Sequence, residues 1–333
     1  MRIFVAGGAG FVGSHFVRQL LADAYPALGR AHVLVLDKLT YAGNLANLEA
    51  VADHPRLDFV QGDVCDSALV TSLMRDVALT VNFAAETHVD RSIHDAEAFV
   101  RTNVLGAQTL FRCAVEAGVR RLVHISTDEV YGSIEVGSWP EDHQLAPNSP
   151  YAASKAAADM LALAYHRTHG LDVRVTRCSN NYGPYQYPEK IIPLFVSNLL
   201  DGLTVPLYGD GRNLRDWVHV DDHCRAIALV ADRGRAGHIY NVGGGTELSN
   251  VDLVEHLLGL LGRDWSAVRR VADRPGHDRR YSVDTKKIAA LGFHPHVDFR
   301  EGLAATVRWY RENRAWWEPL KALVQREPAP LHF

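Results

Sequence analysis

Ile3-Phe4-Val5-Ala6-Gly7-Gly8-Ala9-Gly10-Phe11-Val12-Gly13 is the stretch whose reading decides the fold. A short apolar run ends in glycines, and an amphipathic pattern follows through about Leu21. The run reads as a buried strand, and the helical period beyond it as a helix. Gly8-x-Gly10-x-x-Gly13 matches the dinucleotide-binding fingerprint, and Gly7-x-x-Gly10-x-x-Gly13 is its variant spacing. Either spacing removes side chains where the backbone must approach a pyrophosphate. The helix amino terminus adds free amides and a positive dipole end. Glycines alone are a weak signal, but the strand before and the helix after supply the required context.

Downstream the alternation repeats. The second strand, His32 to Leu36, ends in Asp37, at roughly the expected distance from the glycines. A carboxylate there can accept from both ribose hydroxyls and would repel a 2′-phosphate, which favours NAD over NADP. The adjacent Lys38 works slightly against that preference. Leu57 to Gln61 is a third strand, followed by Gly62-Asp63-Val64, where Asp63 reads either as an adenine contact or as a helix cap. Ser67 to Arg75 reads as a helix. Leu79 to Phe83 is a fourth strand, ending in Ala84-Ala85-Glu86-Thr87-His88, whose small residues suit a strand end beneath a cofactor. Ala96 to Ala117 carries Phe99, Val100, Val104, Leu110, Phe111 and Val115 mostly at helical spacing and reads as one long helix, with Asn103 as a polar residue of the core. Tyr151 to His169 is a further helix, and Asp172 to Arg177 a sixth strand. This order predicts an α/β fold with a doubly wound parallel Rossmann sheet.

The fifth strand carries the chemistry. In Leu122-Val123-His124-Ile125-Ser126-Thr127-Asp128-Glu129-Val130-Tyr131-Gly132 an apolar run stops abruptly at a hydroxyl and two adjacent acids. Open α/β sheets bind ligands at the carboxyl ends of their strands. Tyr151 and Lys155 lie four apart, so on a helix they share a face. A lysine beside a phenol favours phenolate, which makes the tyrosine a usable base. Thr127, Asp128, Glu129, Tyr151 and Lys155 form one candidate constellation. Each part alone also has a plain reading, since Tyr-x-x-x-Lys is common on helices and adjacent acids usually face solvent.

After Cys178 the texture changes to a polar, aromatic loop, then helices and short strands without regular alternation. The expected division is 1–178 as the dinucleotide-binding part and 179–333 as a smaller α/β substrate part, with some chain crossing between them. The second part clusters Lys190, Arg215, Arg274, His277, Arg279 and Arg280. Arginine suits bidentate phosphate contacts, although surface charges are often merely solvated. Phe299 to Trp317 reads as one helix, its Trp316-Trp317 pair serving packing.

Bulk properties narrow the classes. The chain has 333 residues, 47% of them hydrophobic, and a formal net charge of -4, which gives no footprint for nucleic acid. Cys65, Cys113, Cys178 and Cys224 are widely spaced without a metal-ligand pattern and fit reduced thiols in a cytoplasmic protein. No metal site is expected. Met1 to Ala6 already reads as strand, leaving no room for a signal peptide, and no apolar run reaches the length of a membrane span.

Together these residues resemble the dTDP-glucose 4,6-dehydratases of the extended short-chain dehydrogenase/reductase family, over nearly the whole chain. The resemblance rests on Gly7-x-x-Gly10-Phe11-x-Gly13, Asp37-Lys38-Leu39-Thr40-Tyr41, Ala84-Ala85-Glu86-Thr87-His88-Val89-Asp90-Arg91-Ser92, Ser126 to Gly132 and Tyr151-x-x-x-Lys155. In the second half it adds Ser179-Asn180-Asn181-Tyr182-Gly183-Pro184, Pro188-Glu189-Lys190, Arg215-Asp216-Trp217 and Asp273-Arg274-Pro275-Gly276-His277-Asp278. The glycine motif and Tyr-x-x-x-Lys mark only the superfamily; Thr127-Asp128-Glu129 and the second-half motifs are specific.

What the resemblance implies is an NAD-dependent lyase of nucleotide-deoxysugar biosynthesis. It would turn dTDP-glucose into dTDP-4-keto-6-deoxyglucose and water by oxidation at C4, elimination across C5 and C6, and hydride return. Tyr151, helped by Thr127, would take the 4-hydroxyl proton, and Lys155 would hold the nicotinamide ribose. Glu129 would remove the C5 proton, and protonated Asp128 would serve the leaving C6 hydroxyl. NAD would lie against Gly7, Gly10, Phe11, Val12, Gly13, Asp37, Lys38, Leu39, Thr40, Asp63, Val64, Ala84, Ala85, Thr102, Tyr151, Lys155 and Asn181. The sugar nucleotide would be held by His88, Thr127, Asn180, Lys190, Ile191, Pro206, Leu207, Tyr208, Arg215, Asn250, Arg274 and His277. The helices around Leu110 and Met160 would form a homodimer interface, although plain core packing also fits them. The alternatives are an epimerase or decarboxylase on the same scaffold, against which the Asp128-Glu129 pair argues, and a non-catalytic dinucleotide sensor.

Overall fold

The computed structural model describes residues 1–273 and 275–326. Twelve strands form among them: β1 (Arg2–Ala6), β2 (His32–Asp37), β3 (Leu57–Gln61), β4 (Leu79–Asn82), β5 (Arg121–Thr127), β6 (Val173–Cys178), β7 (Asn180–Tyr182), β8 (Val205–Tyr208), β9 (Leu214–His219), β10 (Ile239–Val242), β11 (Glu247–Ser249) and β12 (Val268–Val271). Seven make one sheet in the order β10-β6-β5-β4-β1-β2-β3. Every pairing in it is parallel.

Alternation of side chains across the strands explains why both faces are apolar. Ile3, Val5, Val33, Val35, Val81 and Val123 point to one face, where they pack with Phe16, Leu20 and residues of the helix Val220–Arg233. Phe4, Ala6, Leu34, Leu36, Leu122 and Val175 point to the other, against Val70, Leu110, Phe111 and Ala158. Sheets covered on both sides read as continuous apolar runs, as these strands do. Phe4 is fully buried, and truncating a buried phenylalanine to alanine costs about 3–5 kcal/mol.

The chain starts at β1 and first builds toward β3, then returns to the other side of β1 with β4. The crevice between β1 and β4 is therefore a topological switch point, where such sheets bind ligands. Ala6 stands opposite both Leu36 and Asn82, so the carboxyl ends of β1, β2 and β4 are level.

The second half builds a three-stranded sheet, β11-β9-β7, and a two-stranded one, β12-β8. Tyr182, Phe195, Leu207, Leu257, Leu303 and Trp317 form a core of their own there. The helix Val220–Arg233 and β10 return to the large sheet, with β10 pairing β6.

Two expected helices differ from the pattern reading. The long one is Ala96–Phe99, then a π-helical segment Val100–Gly106, then Ala107–Glu116. The last one breaks at Asn313, giving Phe299–Glu312 and Arg314–Arg326. Asn313 leaves the helical region (φ -115, ψ 42), and its side-chain amide donates to the carbonyl of Trp309 at 2.8 Å. That local bond competes with continued helix. The Trp317 indole N–H then donates to the Tyr310 carbonyl at 2.7 Å, so Trp317 is buried as an anchor. Trp316 donates to Asn47 at 2.9 Å, fastening the end of the chain to the first half. No helix among the described residues is long and apolar enough to cross a membrane.

Candidate active site

The glycine turn between β1 and the helix Phe11–Leu21 is built for a close visitor. Gly7 has φ +77, and a Cβ on it would lie 2.5 Å from the Ala84 amide nitrogen. A Cβ on Gly13 would strike the Gly7 carbonyl at 2.2 Å, so this glycine lets helix and turn touch. At Gly10 a Cβ would meet only the Gly7 carbonyl, at 3.5 Å, and would instead fill the space over the helix end. Gly10 is the N-cap residue and no side chain caps this helix. Its first amides are available to an anion, the arrangement a pyrophosphate requires.

Asp37 closes β2 beside that turn. Its Oδ2 accepts from the Ala9 amide and its Oδ1 from the Leu39 amide, both at 2.8 Å. Burial raises its pKa, and the two amides oppose the rise. Leu39 has φ +56, which turns the chain so that its amide reaches Asp37. Lys38 points away to an ion pair with Asp63 at 2.9 Å. Asp63 also accepts from the Cys65 amide at 2.9 Å. Burial works to raise the Asp63 pKa, yet the Cys65 amide and Lys38 hold it below its ordinary value. Asp37, Lys38, Thr40, Asp63, Val64, Ala84, Ala85 and Thr102 line one cavity with Gly7 and Gly10. The groove thus fits an adenosine half beside a pyrophosphate turn, and the residues present suit a dinucleotide.

A second, contiguous cavity holds the proposed chemistry. Thr127, Asp128, Glu129, Tyr151, Lys155, Asn180, Asn181, Lys190 and Ile191 line it together with Phe11, Val12 and Gly13. β5 ends at Thr127, whose hydroxyl accepts from the Glu129 amide at 3.3 Å and caps the short turn Asp128–Tyr131. Gly132 ends that turn at φ +79, where a Cβ would meet the Ala146 carbonyl at 2.4 Å.

Asp128 is almost fully buried; its Oδ1 accepts from the Thr127 hydroxyl at 3.3 Å and its Oδ2 has no partner among the described residues. Burial pushes its pKa well above the ordinary carboxylate range, reinforced by Glu129 and Asp216 and opposed by Arg215 and Thr127. Asp216 is itself buried, accepting from the Gly244 and Thr246 amides at 2.9 and 2.8 Å. An acid held neutral at pH 7 can donate a proton.

Tyr151 and Lys155 sit on the helix Pro150–His169, capped by Ser149, whose hydroxyl accepts from the Ala152 amide at 3.1 Å. Here one sequence expectation needs correction. Lys155 was expected to favour phenolate on Tyr151. Instead, burial and then Glu129 push the Tyr151 pKa well above its ordinary value, and the hydrogen bond with Thr127 is the influence that pulls it down. Lys155 Nζ donates to the Ile125 carbonyl at 2.5 Å. Burial lowers the Lys155 pKa to about 8 despite Asp159. Spacing on a helix places two groups on one face but says nothing of the carboxylates and apolar walls around them.

Asn103 belongs to the buried network expected of it. Its side chain accepts from the Glu86 amide at 2.8 Å, and donates to the Glu86 carbonyl at 3.0 Å and the Ser154 hydroxyl at 2.8 Å. Ser154 donates to the Tyr151 carbonyl at 2.7 Å. The π-helical segment thereby joins the end of β4 to the turn carrying Tyr151, the kind of place where such segments recur.

The other described residues expected to hold the sugar nucleotide are not among the residues lining these two cavities. Arg215 donates to the carbonyls of Leu214 and Asp278 at 2.7 and 2.9 Å and stacks 4.3 Å over Tyr281. His277 Nδ1 is 2.6 Å from Asp273 Oδ1, and its ring faces that of Tyr208 at 6.4 Å. Pro206 and Leu207 are in β8, and Leu207 is core, so its side chain is not available to a ligand. Asn250 starts the helix Asn250–Leu261. His88 Nδ1 accepts from the Arg91 amide at 3.3 Å, capping the helix Val89–His94. Arg274 lies outside the described residues. Sequence reasoning missed Gln186, Trp217 and His223 on the cavity wall. Trp217 closes the quoted Arg215-Asp216-Trp217 motif but was given no role, whereas His223 sits unannounced in a helix.

Comparison with known proteins agrees with this architecture. A structure of DesIV, a dTDP-glucose 4,6-dehydratase from Streptomyces venezuelae solved with NAD bound, superposes with a TM-score of 0.95 at 66% identity, covering 96% of this chain and 100% of that one. A dTDP-glucose 4,6-dehydratase from Streptomyces niveus is 60% identical over 331 residues, 99% of this chain and 98% of the relative. A UDP-glucose 4-epimerase from Thermus thermophilus, solved with NAD, shares 33% identity at a TM-score of 0.86, covering 94% of this chain and all of that one. The family model described as GDP-mannose 4,6 dehydratase matches residues 4–306, and the chain belongs to that family.

Proposed function

We propose that the chain is an NAD-dependent dTDP-glucose 4,6-dehydratase, releasing water and dTDP-4-keto-6-deoxyglucose. The observation that carries this reading is Asp128, buried and with its pKa pushed well above the ordinary carboxylate range by burial and by Glu129, in the cavity that contains Tyr151 and Lys155. An epimerase has no use for a neutral acid paired with a base at this position.

NAD, when bound, would supply the hydride acceptor for C4 of the glucose and the hydride donor for C6. Gly7, Gly10 and Gly13 would admit its pyrophosphate, Asp37 would take the ribose diol, Asp63 would reach the adenine, and Asn181 and Lys155 would meet the nicotinamide end. Tyr151 takes the proton of the 4-hydroxyl, and the hydrogen bond with Thr127 stabilises the phenolate this step needs. Once C4 is a ketone, the C5 proton is acidic and Glu129 removes it. Asp128 gives its proton to the C6 hydroxyl, which leaves as water. Glu129 then returns its proton to C5, and the proton gained at Tyr151 restores Asp128. Arg215, Arg274 and His277 are assigned to the diphosphate, with Lys190, Ile191, Pro206, Leu207, Tyr208, Asn180, Asn250 and His88 around nucleoside and sugar. Leu207 would contribute through its backbone.

We also infer a homodimer through the exposed apolar side chains Val100, Leu105 and Met160, the first two of which line a groove with Val104 and Leu161. Leu110 itself is fully buried in the core, so its helix would contribute through other side chains. A division into 1–178 and 179–333, with Val220–Arg233 and β10 crossing back, is the corresponding reading of the domains. Cytoplasmic residence is supported by four free cysteines. The test is incubation of purified protein with dTDP-glucose, UDP-glucose and GDP-mannose. Loss of one water from dTDP-glucose by mass is expected; an isomer of unchanged mass would mean an epimerase.

A further inference from the structure

His223 has no part in the steps above, yet it is fully buried and lines the cavity that holds Tyr151, Lys155 and Asn181. Its Nδ1 stands 2.8 Å from Asn181 Oδ1. The Asn181 Nδ2 is already engaged, donating to the Ser179 carbonyl at 3.1 Å and to Cys178 Sγ at 3.3 Å. The Asn181 oxygen therefore faces the ring, and Nδ1 must carry the proton that bridges them. Burial pushes the His223 pKa down to about 3, so the ring is neutral and Nε2 is a bare acceptor. That nitrogen is buried and has no partner among the described residues. Buried polar atoms in folded proteins are nearly always paired, and the residue that carries this orphaned acceptor lines a ligand cavity, so a bound ligand is the candidate source of the missing donor.

We propose that His223 is a positioning and specificity residue of the cofactor site, its Nδ1–H clamping the Asn181 amide while Nε2 accepts from the carboxamide N–H of nicotinamide. The inference rests on the reading of Asn181 as a nicotinamide contact. The ring places two needs on one residue, a donor toward the protein and an acceptor toward the ligand. Neutral histidine meets both, and no charge is brought to the nicotinamide end.

The probe is 3-acetylpyridine adenine dinucleotide, which replaces the carboxamide by an acetyl group and so lacks the N–H. Dissociation constants for NAD and for this analogue are measured on protein stripped of nucleotide. A hydrogen bond to a buried acceptor predicts that the unaltered protein prefers NAD by about tenfold. His223→Leu should abolish the preference. His223→Gln, whose amide oxygen reaches the Nε2 position, should keep it. His223→Asn, which retains only the inner donor, should lose it while preserving the Asn181 clamp. Should His223→Leu not fold, the Asn and Gln pair carries the test. A wild-type preference in His223→Asn or His223→Leu overturns the proposal, as does an equal preference for both nucleotides in the unaltered protein. Asp37→Ala separates this from failure of the cofactor reading. If Asp37→Ala leaves NAD affinity untouched, the cofactor site itself is wrong. If it weakens NAD while the His223 variants bind both nucleotides like the unaltered protein, only the role of His223 falls.

Discussion

The end of β5 and the face carrying Arg215 and His277 are built on opposite plans. At β5, Thr127, Asp128 and Glu129 are consecutive, and Tyr151 and Lys155 share one helical face. Arg215 is on β9, His277 follows β12, and Tyr208 ends β8. The first group is fixed by backbone hydrogen bonds within one strand and one helix. The second meets only because several segments fold against one another. On the proposed assignment, chemistry is carried by adjacent residues on rigid elements, and substrate grip by residues gathered from afar. Substitutions in the first group should act on rate, and those in the second on affinity.

The largest expected effect breaks the first group internally. Glu129→Gln should lower product formation by a factor of about 10²–10⁴, the usual loss for one general base. NADH absorbance should still appear in a single turnover and persist, as it should for Asp128→Asn, whereas Tyr151→Phe should block its appearance. Full dehydration by Glu129→Gln would remove it as the base. Loss of the NADH signal in all three variants would mean that the acids organise the site as a whole.

Arg215→Ala tests the other side. A charged hydrogen bond contributes about 1.5–3 kcal/mol, so substrate affinity should fall by about one to two decades with little change in maximal rate. A rate loss at unchanged affinity would dissolve the contrast, because it would move Arg215 to the Asp128 carboxyl, whose pKa it already lowers.

A smaller effect concerns the nucleotide. Denatured protein should release NAD with little NADP, since Asp37 presents a carboxylate to the ribose. Chromatography of the released nucleotide decides, and predominant NADP would overturn the role of Asp37. Asp37→Asn should narrow the discrimination by removing the charge.

The smallest concerns stability. Lys155 is held at about 8, below its ordinary 10.5, so between those values the unfolded chain binds more protons and the group's contribution to stability rises with pH. Below about pH 8 the buried ammonium is a constant penalty. Lys155→Met should therefore melt higher than the unaltered protein at pH 7, though inactive, and the advantage should shrink as pH climbs from 8 toward 10.5. Thermal melts across that range check the sign.

These contrasts explain what was legible beforehand. The parallel sheet could be read because strands covered on both faces are written as unbroken apolar runs, and because Gly7 to Gly13 fixes the first turn. The constellation at β5 could be read because its members are near in sequence. The proximity of Asp216 to Asp128 could not, since β9 belongs to a separate sheet from β5, and nothing local announces a long-range carboxylate neighbour. For the same reason the sequence does not show the direction of the Tyr151 shift, which is set first by burial and then by Glu129. His223 was invisible because a histidine among apolar helix residues has the pattern of core. The break at Asn313 depends on a side chain bonding its own helix, which a hydrophobic period does not register.

The segment Val100–Gly106 works as a phase shifter. One residue advances an α-helix by about 100°, so the wider π turn sets the azimuth of everything before it against everything after it. Within seven residues it presents Thr102 to the adenosine groove, Asn103 to the turn of Tyr151, and Val100 and Leu105 to the outside. Deleting a single residue there would leave a better helix and a misaligned protein. Thr102, Asn103 and the outward apolar pair would all rotate from their targets together, so nucleotide retention and turnover should fail in step in such a deletion, although no side chain at β5 has been changed.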